Sequence, residues 1–470
     1  MAQPTYDELL QENRLLRQAL ADKDRRIVQF EARVVALEGK LEALARSAKR
    51  QAAPFSKGPP QANPKRRGRK SGDDHGTKAF RAIPPVIDET YEAPLPERCP
   101  HCGAPGGVEL SHVDQQYQVE IPRRPIYRQF NVAVGQCTCC RKRVQGRHPL
   151  QTSDALGCCA SQIGPQAQAA AVILNKELGL SQGKVSKLFA SFFGIGLTPG
   201  GSCQIMLRAA ERCQENYRAI VQRVQASPWI VPDETGWRVG GFLAWLHVAV
   251  GQDAVAYLVA PQRGFEASVL LIGKEYAGTL VHDGWAPYEN FERATHQTCL
   301  DHLMRRCQEL LETAVGGAVH FPRGVQEILR ESLEVRDRRD AGAIQPATAA
   351  RRAVGLEKRI ESLVAPLKTH AGNERLAAHL WNHQTELFTF LEFPGIDATN
   401  YRAEQAIRPA VVNRKVWGGN RTPAGAVAQG VLLSVLGTAA KAGVEAVAFL
   451  AKVLCALPGQ RPLLLTGPSG

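Results

Sequence analysis

Two short apolar runs near the middle of the chain each end on an aspartate. Residues 229–237 carry Asp233 and residues 278–285 carry Asp283, and a glycine and a tryptophan follow each aspartate. Apolar, β-branched runs bounded by glycine predict short buried strands. Because carboxylate oxygens are the ligands that hard divalent cations prefer, two strands that end on aspartate constrain the fold and indicate a metal site.

A third acidic residue, Glu404, lies in segment 400–408, which is predicted to be a helix. Two glutamates on an earlier predicted helix, Glu327 and Glu331, compete with it because the spacing does not identify the third carboxylate. Glu404 is preferred because it shares a helical face with Asn400, which could orient a phosphate or cap the helix. A basic tract suited to holding phosphate also follows it: Arg408, Arg414, Lys415 and Arg421.

The segments around the two aspartates predict an α/β layer of ribonuclease H-like order. Strands are expected at 229–231, 242–250, 254–260, 278–282 and 296–300, with a helix over 264–276. A right-handed crossover would make the first and fourth strands neighbours, with Asp233 beside Asp283. Mg²⁺ or Mn²⁺ would relieve the repulsion between them. Glu234 is the nearest alternative to Asp233, although an alternating strand would point it to the opposite face.

Helical sequence surrounds this layer on both sides. Before it, helices are predicted at 166–178, 182–193 and 203–224, with Gly and Ser residues at the first break. A short turn between two helices is typical of helix-turn-helix DNA-binding units, in which Lys184 and Lys187 would face phosphate, and equally of an ordinary helical bundle. After it, a helical insertion is predicted before Glu404, with helices at 299–313, 325–333, 349–367 and 374–390.

Two cysteine pairs with metal-ligand spacing precede the helices. Cys99 and Cys102 form the first pair, and Cys137 and Cys140 form the second, with Cys139 as an alternative ligand. Four thiolates in this pattern predict a closed tetrahedral site for a structural Zn²⁺. Strand-like segments at 116–121 and 128–134 would form a hairpin that brings the pairs together as a zinc ribbon.

The amino-terminal region combines a heptad repeat with a basic linker. Residues 6–44 carry two apolar rows at alternating steps of four and three, which predict a parallel two-stranded coiled coil. Lys23 places a charge in one of these apolar rows. The alternative to a coiled coil is an amphipathic helix that packs against the globular part of the same chain. The Pro- and Gly-rich stretch that follows contains cations that could contact DNA phosphates or simply be solvated: Lys65, Arg66, Arg67, Arg69 and Lys70.

Charge and hydropathy restrict the partners and the compartment. The net charge of +13 favours a polyanionic partner such as nucleic acid. The polar amino terminus does not resemble a signal peptide. The longest apolar stretch, 430–457, is interrupted by three charged residues, so no membrane association is expected. We therefore expect a cytoplasmic, nucleoid-associated protein with reduced thiols.

Several motifs resemble the bacterial transposases of insertion sequence family sixty-six. They are Asp-Glu-Thr-x-Trp at 233–237, Asp-Gly-Trp-x-x-Tyr at 283–288, His-Gln-x-Cys-x-x-His at 296–302, Asn-x-x-x-Glu-x-x-Ile-Arg-Pro at 400–409, and Arg-Lys followed by Gly-Gly-Asn-Arg at 414–421. The resemblance implies a DDE transposase in which Asp233, Asp283 and Glu404 bind two Mg²⁺ ions. It also implies a supporting role for the Cys299–His302 element, a four-cysteine zinc site and small accessory proteins.

These observations together predict a multidomain α+β protein. The expected order is coiled coil (1–48), basic linker (49–88), zinc-binding domain (89–148), helical region (149–225), catalytic core (226–313 and 393–425) split by a helical insertion (314–392), and carboxyl-terminal helices (426–470). The expected activity is cleavage and strand transfer of DNA by a homodimer or larger assembly that holds transposon ends and target. The alternatives are a dimeric zinc-containing DNA-binding regulator without catalysis and a ribonuclease H-like nuclease.

Overall fold

The computed structural model describes residues 23, 83–93, 95–98, 100–102, 105, 113–117, 125–156 and 162–465. The chain divides into two compact units, Met1–Ile121 and Pro122–Gly470. The coiled coil apart from Lys23, which is helical and exposed, and the five cations of the basic linker lie outside the described residues. In the first unit, the described residues include an isolated antiparallel bridge between Arg98 and Pro105. The predictions for the coiled coil and the basic run remain predictions.

The second unit begins with a short hairpin that carries the second cysteine pair. Strands β1 (Val134–Gln136) and β2 (Arg143–Gln145) pair antiparallel, and Cys137–Cys140 lies in the turn between them. The predicted strand at 128–134 is wrong except for Val134, because residues 128–133 pair with no strand in the part of the chain that the structure describes. Residues 116 and 117, the described part of the other predicted strand, also lack strand structure.

Four helices follow: α1 (Pro165–Lys176), α2 (Gln182–Phe193), α3 (Pro199–Arg212) and α4 (Gln214–Gln225). Gly179 turns the chain after α1 at a φ of +75°, and the Ser181 side chain caps α2 by accepting from the Lys184 amide. The single helix predicted over 203–224 is wrong, because Cys213, at φ −89° and ψ 3°, interrupts it.

A five-stranded sheet forms the centre of the unit. Its strands are β3 (Trp229–Val239), β4 (Phe242–Val250), β5 (Val255–Ala260), β6 (Thr279–His282) and β7 (Thr295–Thr298), in the order β5-β4-β3-β6-β7. The first three are antiparallel, and β6 and β7 run parallel to β3. Helix α5 (Phe265–Ile272) connects β5 to β6. The first and fourth strands of the predicted layer are therefore neighbours, as expected.

The first strand of the sheet is much longer than the predicted 229–231. Pairing with β4 continues from Val231 to Val239, and the Gly240–Gly241 turn, with φ of +60° and +88°, joins the two strands. Glycine occupies both turn positions because positive φ is costly for residues with a side chain. The extension carries Asp233 inside the strand instead of at its end.

The helical insertion packs against the sheet through buried apolar residues. Helix α6 (Leu300–Thr313) leads into the insertion, which comprises α7 (His320–Asp340), α8 (Pro346–Val364), α9 (Ala371–Asn382) and the short α10 (Thr389–Glu392). The continuous helix predicted over 374–390 is wrong, since the chain leaves the helical conformation at His383. After this break, Phe388 and the α10 residues Phe390 and Leu391 are completely buried.

The last helices are α11 (Tyr401–Trp417), α12 (Pro423–Lys441) and α13 (Ala446–Cys455). Helix α12 covers the edge strand β5: the hydroxyls of Thr438 and Ser434 accept hydrogen bonds from the amides of Val255 and Tyr257. By length and composition α12 alone, among the described helices, could cross a membrane, but 67% of its most apolar window is buried inside the protein.

Candidate active site

Two neighbouring parallel strands bring the central aspartates together. Trp229 pairs with Thr279 and Ile230 pairs with Leu280, so the register has a constant offset of fifty residues. Asp233 lies three residues beyond Ile230, and Asp283, which directly follows the last residue of β6, lies three residues beyond Leu280. Sequence reasoning anticipated this adjacency because a crossover unit makes its two parallel strands neighbours.

The charge environment of Asp233 is unusual for a carboxylate. Burial, the negative charge of Glu234 and the charges of Asp283 and Glu404 raise the pKa of Asp233 from 3.8 to about 7. The Glu234 amide donates a hydrogen bond to Asp233 at 2.8 Å, which opposes the shift only in part. Asp233 therefore lies within electrostatic reach of both other predicted carboxylates, and these charges repel.

Main-chain geometry fixes the loop that carries Asp283. The Trp285 amide donates to the Asp283 carboxylate at 3.0 Å, and Gly284 between them adopts a φ of +81°. A side chain at residue 284 would also meet the His379 ring, whose Cε1 lies 3.2 Å from the position of an added Cβ. Glycine in the Asp-Gly-Trp motif is thus favoured by its positive φ and by the close approach of the His379 ring.

Two hydrogen-bonded histidines, His282 and His296, support the loop that carries Asp283. His282 accepts a hydrogen bond from the Gly284 amide through Nδ1, and its Nε2 lies 3.0 Å from Nδ1 of His296. Nε2 of His296 lies 3.2 Å from the Phe291 carbonyl, so donation through Nε2 of each ring satisfies both contacts. Burial, followed by the charge of His296, lowers the pKa of His282 to about 3, which keeps this support neutral.

Glu404 lies in the first turn of α11 and is tied to the end of β7. The Asn400 amide donates to Sγ of Cys299 at 3.4 Å, and Nε2 of His302 lies 3.9 Å from Oε1 of Glu404. The Glu404 side chain is 41% exposed. The Cys299–His302 element therefore contacts the helix start that presents Glu404. Asn400 is buried, and its side chain makes no hydrogen bond that caps α11.

Glu234, unlike Asp233, is hydrogen-bonded by side chains of the protein through both carboxylate oxygens. Its carboxylate, 2% exposed, accepts hydrogen bonds from Nε and Nη2 of Arg263 at 2.9 and 2.7 Å, and from the Tyr288 hydroxyl at 2.7 Å. Both carboxylate oxygens are thus occupied by the protein. Tyr288 was present in the Asp-Gly-Trp-x-x-Tyr motif, whereas nothing in the sequence singled out Arg263.

The competing glutamates lie on the outside of the insertion. Glu327 and Glu331 are exposed on α7, and Glu331 forms an ion pair with Arg359 of α8. Neither contributes to the pKa shift of Asp233, whereas Glu404 does. The arrangement favours Glu404 over both.

The basic tract after Glu404 has two parts. Arg408, Lys415 and Arg421 are exposed, whereas Nη1 of Arg414 donates to the Thr235 hydroxyl at 3.3 Å. The three exposed cations are accessible to phosphate, and Arg414 links α11 to β3.

The Gly-Gly-Asn segment that precedes Arg421 docks onto the end of β3. Asn420 exchanges main-chain hydrogen bonds with Arg238 and Gly240, at 2.9 and 2.8 Å, and its side chain accepts from Nε1 of Trp237 at 2.7 Å. A Cβ at Gly419 would lie 2.5 Å from the Arg238 carbonyl, so only glycine fits there. This part of the motif has a structural function.

The predicted DNA-contacting lysines of the helical region, Lys184 and Lys187, are exposed on α2. Helices α1 and α2 are separated by a short turn, as a helix-turn-helix unit requires. Apolar residues of α2 pack into a helical core, and the lysines remain outside that core. This placement is compatible with contact to phosphate.

The second cysteine pair adopts a conformation that favours thiolate. Hydrogen bonds from the main chain of Cys140 and Cys139, and from the Cys140 side chain, lower the pKa of Cys137. Arg141, at a φ of +58°, closes the turn by donating its amide to the Cys137 carbonyl at 2.9 Å. Cys99 lies outside the described residues, and Cys102 belongs to the first unit, where it is exposed.

Carboxylates that repel one another around two neighbouring strands match the oxygen ligands that Mg²⁺ prefers. The described residues, however, contain no group of three His, Cys, Asp or Glu side chains placed to hold one ion. The charges of Asp233 and Asp283 fit a divalent cation. Glu404 adds negative charge near Asp233, and its side chain is 41% exposed.

Comparison with known proteins gives one family. The family model described as "Transposase IS66 family" matches residues 160–428, which is more than half of the chain. The matched region runs from the start of the helical region through the sheet, the insertion and α11 into α12. No curated protein matches the chain.

Proposed function

Because this chain belongs to the IS66 transposase family, we propose that it cuts DNA at the ends of an insertion sequence and joins those ends to target DNA. The observation that carries the proposal is the parallel pairing of β3 with β6, which brings Asp233 and Asp283 onto neighbouring segments within electrostatic reach of Glu404. Repelling acids on two adjacent strands and a nearby helix suit metal-dependent phosphoryl transfer in a ribonuclease H-like core.

Asp233 and Asp283 would hold Mg²⁺ or Mn²⁺, with Glu404 as the third carboxylate. Two bound ions would supply Lewis acidity to the scissile phosphate and its attacking and leaving oxygens. The protein's own contribution is placement. The Trp285 amide orients Asp283, His302 lies against Glu404, and Arg408, Lys415 and Arg421 offer charge to the flanking phosphates.

The remaining parts of the chain would bring DNA and subunits to this site. The exposed Lys184 and Lys187 on α2 and the basic linker would contact phosphates. The coiled coil would pair two subunits, and small accessory proteins would complete the assembly. Cys137 and Cys140 would supply two of the thiolates for a structural Zn²⁺, supported by the lowered pKa of Cys137.

The first experiment follows nicking of supercoiled DNA carrying insertion-sequence ends by the purified full-length protein. Nicking is expected with Mg²⁺ or Mn²⁺ and not with Ca²⁺, which should still permit DNA binding. Binding without nicking under every metal condition would favour the zinc-containing DNA-binding regulator and overturn the proposal.

A second assay separates transposition from simple nuclease activity. A labelled, pre-cut element end carrying a free 3′-hydroxyl is incubated with target plasmid and Mg²⁺. Covalent transfer of the label to the plasmid is expected. Cleavage of uncut ends without any transfer of pre-cut ends would identify a ribonuclease H-like nuclease instead.

A further inference from the structure

A cavity of about 570 Å³ lies among α3, the segment after β2 and the segment after α13. It shares no lining residue with the predicted carboxylate site. Among the residues the structure describes, its lining contains four guanidinium groups and one carboxylate, Asp154. We call the cavity the arginine pocket, and its arginines are Arg147, Arg208, Arg212 and Arg461.

Three separate parts of the chain position these arginines. Helix α3 carries Arg208 and Arg212 four residues apart, and thus on one face. Arg461 comes from the carboxyl-terminal segment, which the buried Asn216 of α4 holds in place. The Asn216 side chain donates to the Pro462 carbonyl at 3.1 Å and accepts from the Leu464 amide at 2.7 Å.

The positive charge in the pocket is only partly balanced. Asp154 pairs with Arg147, but its side chain is 63% exposed. Arg212 donates to the uncharged carbonyls of Leu454 and Thr152. Nε of Arg461 is buried and has no hydrogen-bond partner among the described residues. Burial, followed by the charges of Arg461 and Arg147, lowers the pKa of Arg212, as expected for guanidinium groups that repel.

The shape and chemistry of the pocket specify a class of ligand. Guanidinium groups bind phosphate through paired, charge-assisted hydrogen bonds, and a buried donor without a partner is costly unless a ligand supplies one. The apolar side chains of Leu197 and Ile205 also line the cavity. Its volume is that of a small-molecule site and exceeds what a bare phosphate fills.

We propose that the arginine pocket binds the phosphate of a nucleotide-sized phosphate monoester. The ligand is either a free nucleotide or the phosphorylated end of a DNA strand, since both present the same group. Duplex DNA lying side-on is too wide to enter a cavity of this volume. The proposal goes beyond the cleavage site and does not depend on the three carboxylates.

The test is calorimetric titration of the full-length protein with thymidine 5′-monophosphate and with thymidine. The nucleotide should bind and the nucleoside should not. Arg208→Gln and Arg461→Gln should each weaken nucleotide binding about tenfold or more, as loss of a charge-assisted hydrogen bond implies. Neither change removes the carbonyl contacts of Arg212, so both variants should keep the wild-type melting temperature.

The matched control is Arg218→Gln, which replaces an exposed arginine of α4 outside the pocket. This variant should bind the nucleotide like wild type.

The proposal is overturned if both pocket variants bind the nucleotide as tightly as wild type, if Arg218→Gln loses as much affinity as they do, or if thymidine binds equally well.

A single-stranded oligonucleotide with a 5′-phosphate or a 5′-hydroxyl then distinguishes a DNA strand end from a free nucleotide as the source of the phosphate. Tighter binding of the phosphorylated strand that disappears in Arg461→Gln assigns the pocket to a strand end. Equal binding of both strands, with mononucleotide binding intact, assigns it to a free nucleotide.

Discussion

The carboxylates around the central strands β3 and β6 and the arginine pocket are opposite in charge but alike in construction. We call Asp233, Asp283 and Glu404 the carboxylate edge. In each place the fold holds like charges together with too few opposite charges to balance them. Glu234 is the contrast, because Arg263 and Tyr288 satisfy it fully. A buried charge with partners stabilises a fold, whereas a group of like charges without them is typical of a binding site.

The largest expected effect tests the carboxylate edge directly. Asp283→Asn should lower Mg²⁺-dependent DNA nicking by about a thousandfold or more, because an amide cannot balance the charge of a cation. Nicking of supercoiled DNA measures it. Asp253→Asn, an exposed aspartate in the turn between β4 and β5, is the control and should retain wild-type activity. Wild-type nicking by Asp283→Asn would remove the assignment of this edge.

The next effect concerns stability without metal. The pKa of Asp233 is about 7 in the folded protein and 3.8 as an ordinary aspartate, so its stabilising contribution is complete below pH 3.8 and is lost as pH rises to 7. In chelator, Asp233→Asn should therefore be more stable than wild type at pH 8, by up to about 4 kcal/mol. The advantage should shrink steadily from pH 7 to pH 5. Denaturant unfolding at each pH measures it, and a constant difference would contradict the raised pKa.

A smaller effect separates Glu234 from Asp233. Arg263→Met should destabilise the protein by about 3 kcal/mol because it leaves a buried carboxylate without its cation. Adding Glu234→Gln should recover part of that loss in a double-mutant cycle. Glu234→Gln alone should keep stabilisation by Mg²⁺. Loss of the Mg²⁺ response in that variant would instead make Glu234 a metal ligand.

The smallest effect tests whether the two sites are independent. A ligand at ten times its dissociation constant stabilises a protein by about 1.4 kcal/mol, a shift of roughly 2–4 °C in melting temperature. Mg²⁺ should raise the melting temperature of Arg461→Gln as it does that of wild type, and thymidine monophosphate should do the same for Asp233→Asn. Scanning calorimetry measures both shifts. Loss of both responses in either variant would show that the two sites are coupled.

Much of the site was predictable from the sequence because its residues lie in local patterns. Short apolar runs ending at Asp233 and Asp283 follow from strand periodicity, and the crossover rule predicted that their strands are adjacent. The glycines at 240, 241 and 284 mark turns for the same local reason. The predicted boundaries of helices and strands were less accurate. Strand β3 continues past Val231 because β4 pairs with it from Val231 to Val239.

Other features depended on residues far apart in sequence. The neutralisation of Glu234 by Arg263 and the break in the helix at His383 have no local signal. The arginine pocket is the clearest case, since Arg147, Arg208 and Arg461 come from three distant segments and none belongs to a motif.

The sequence by itself determined the family, the combination of helices and strands, the adjacency of the first and fourth strands and the turns that glycine permits. These follow from side-chain periodicity and backbone sterics, which act over a few residues. Only the tertiary structure decided which charges are neutralised and which are left facing one another. Burial and electrostatic repulsion depend on distances in space, and the order of residues along a chain does not contain those distances until the chain has folded.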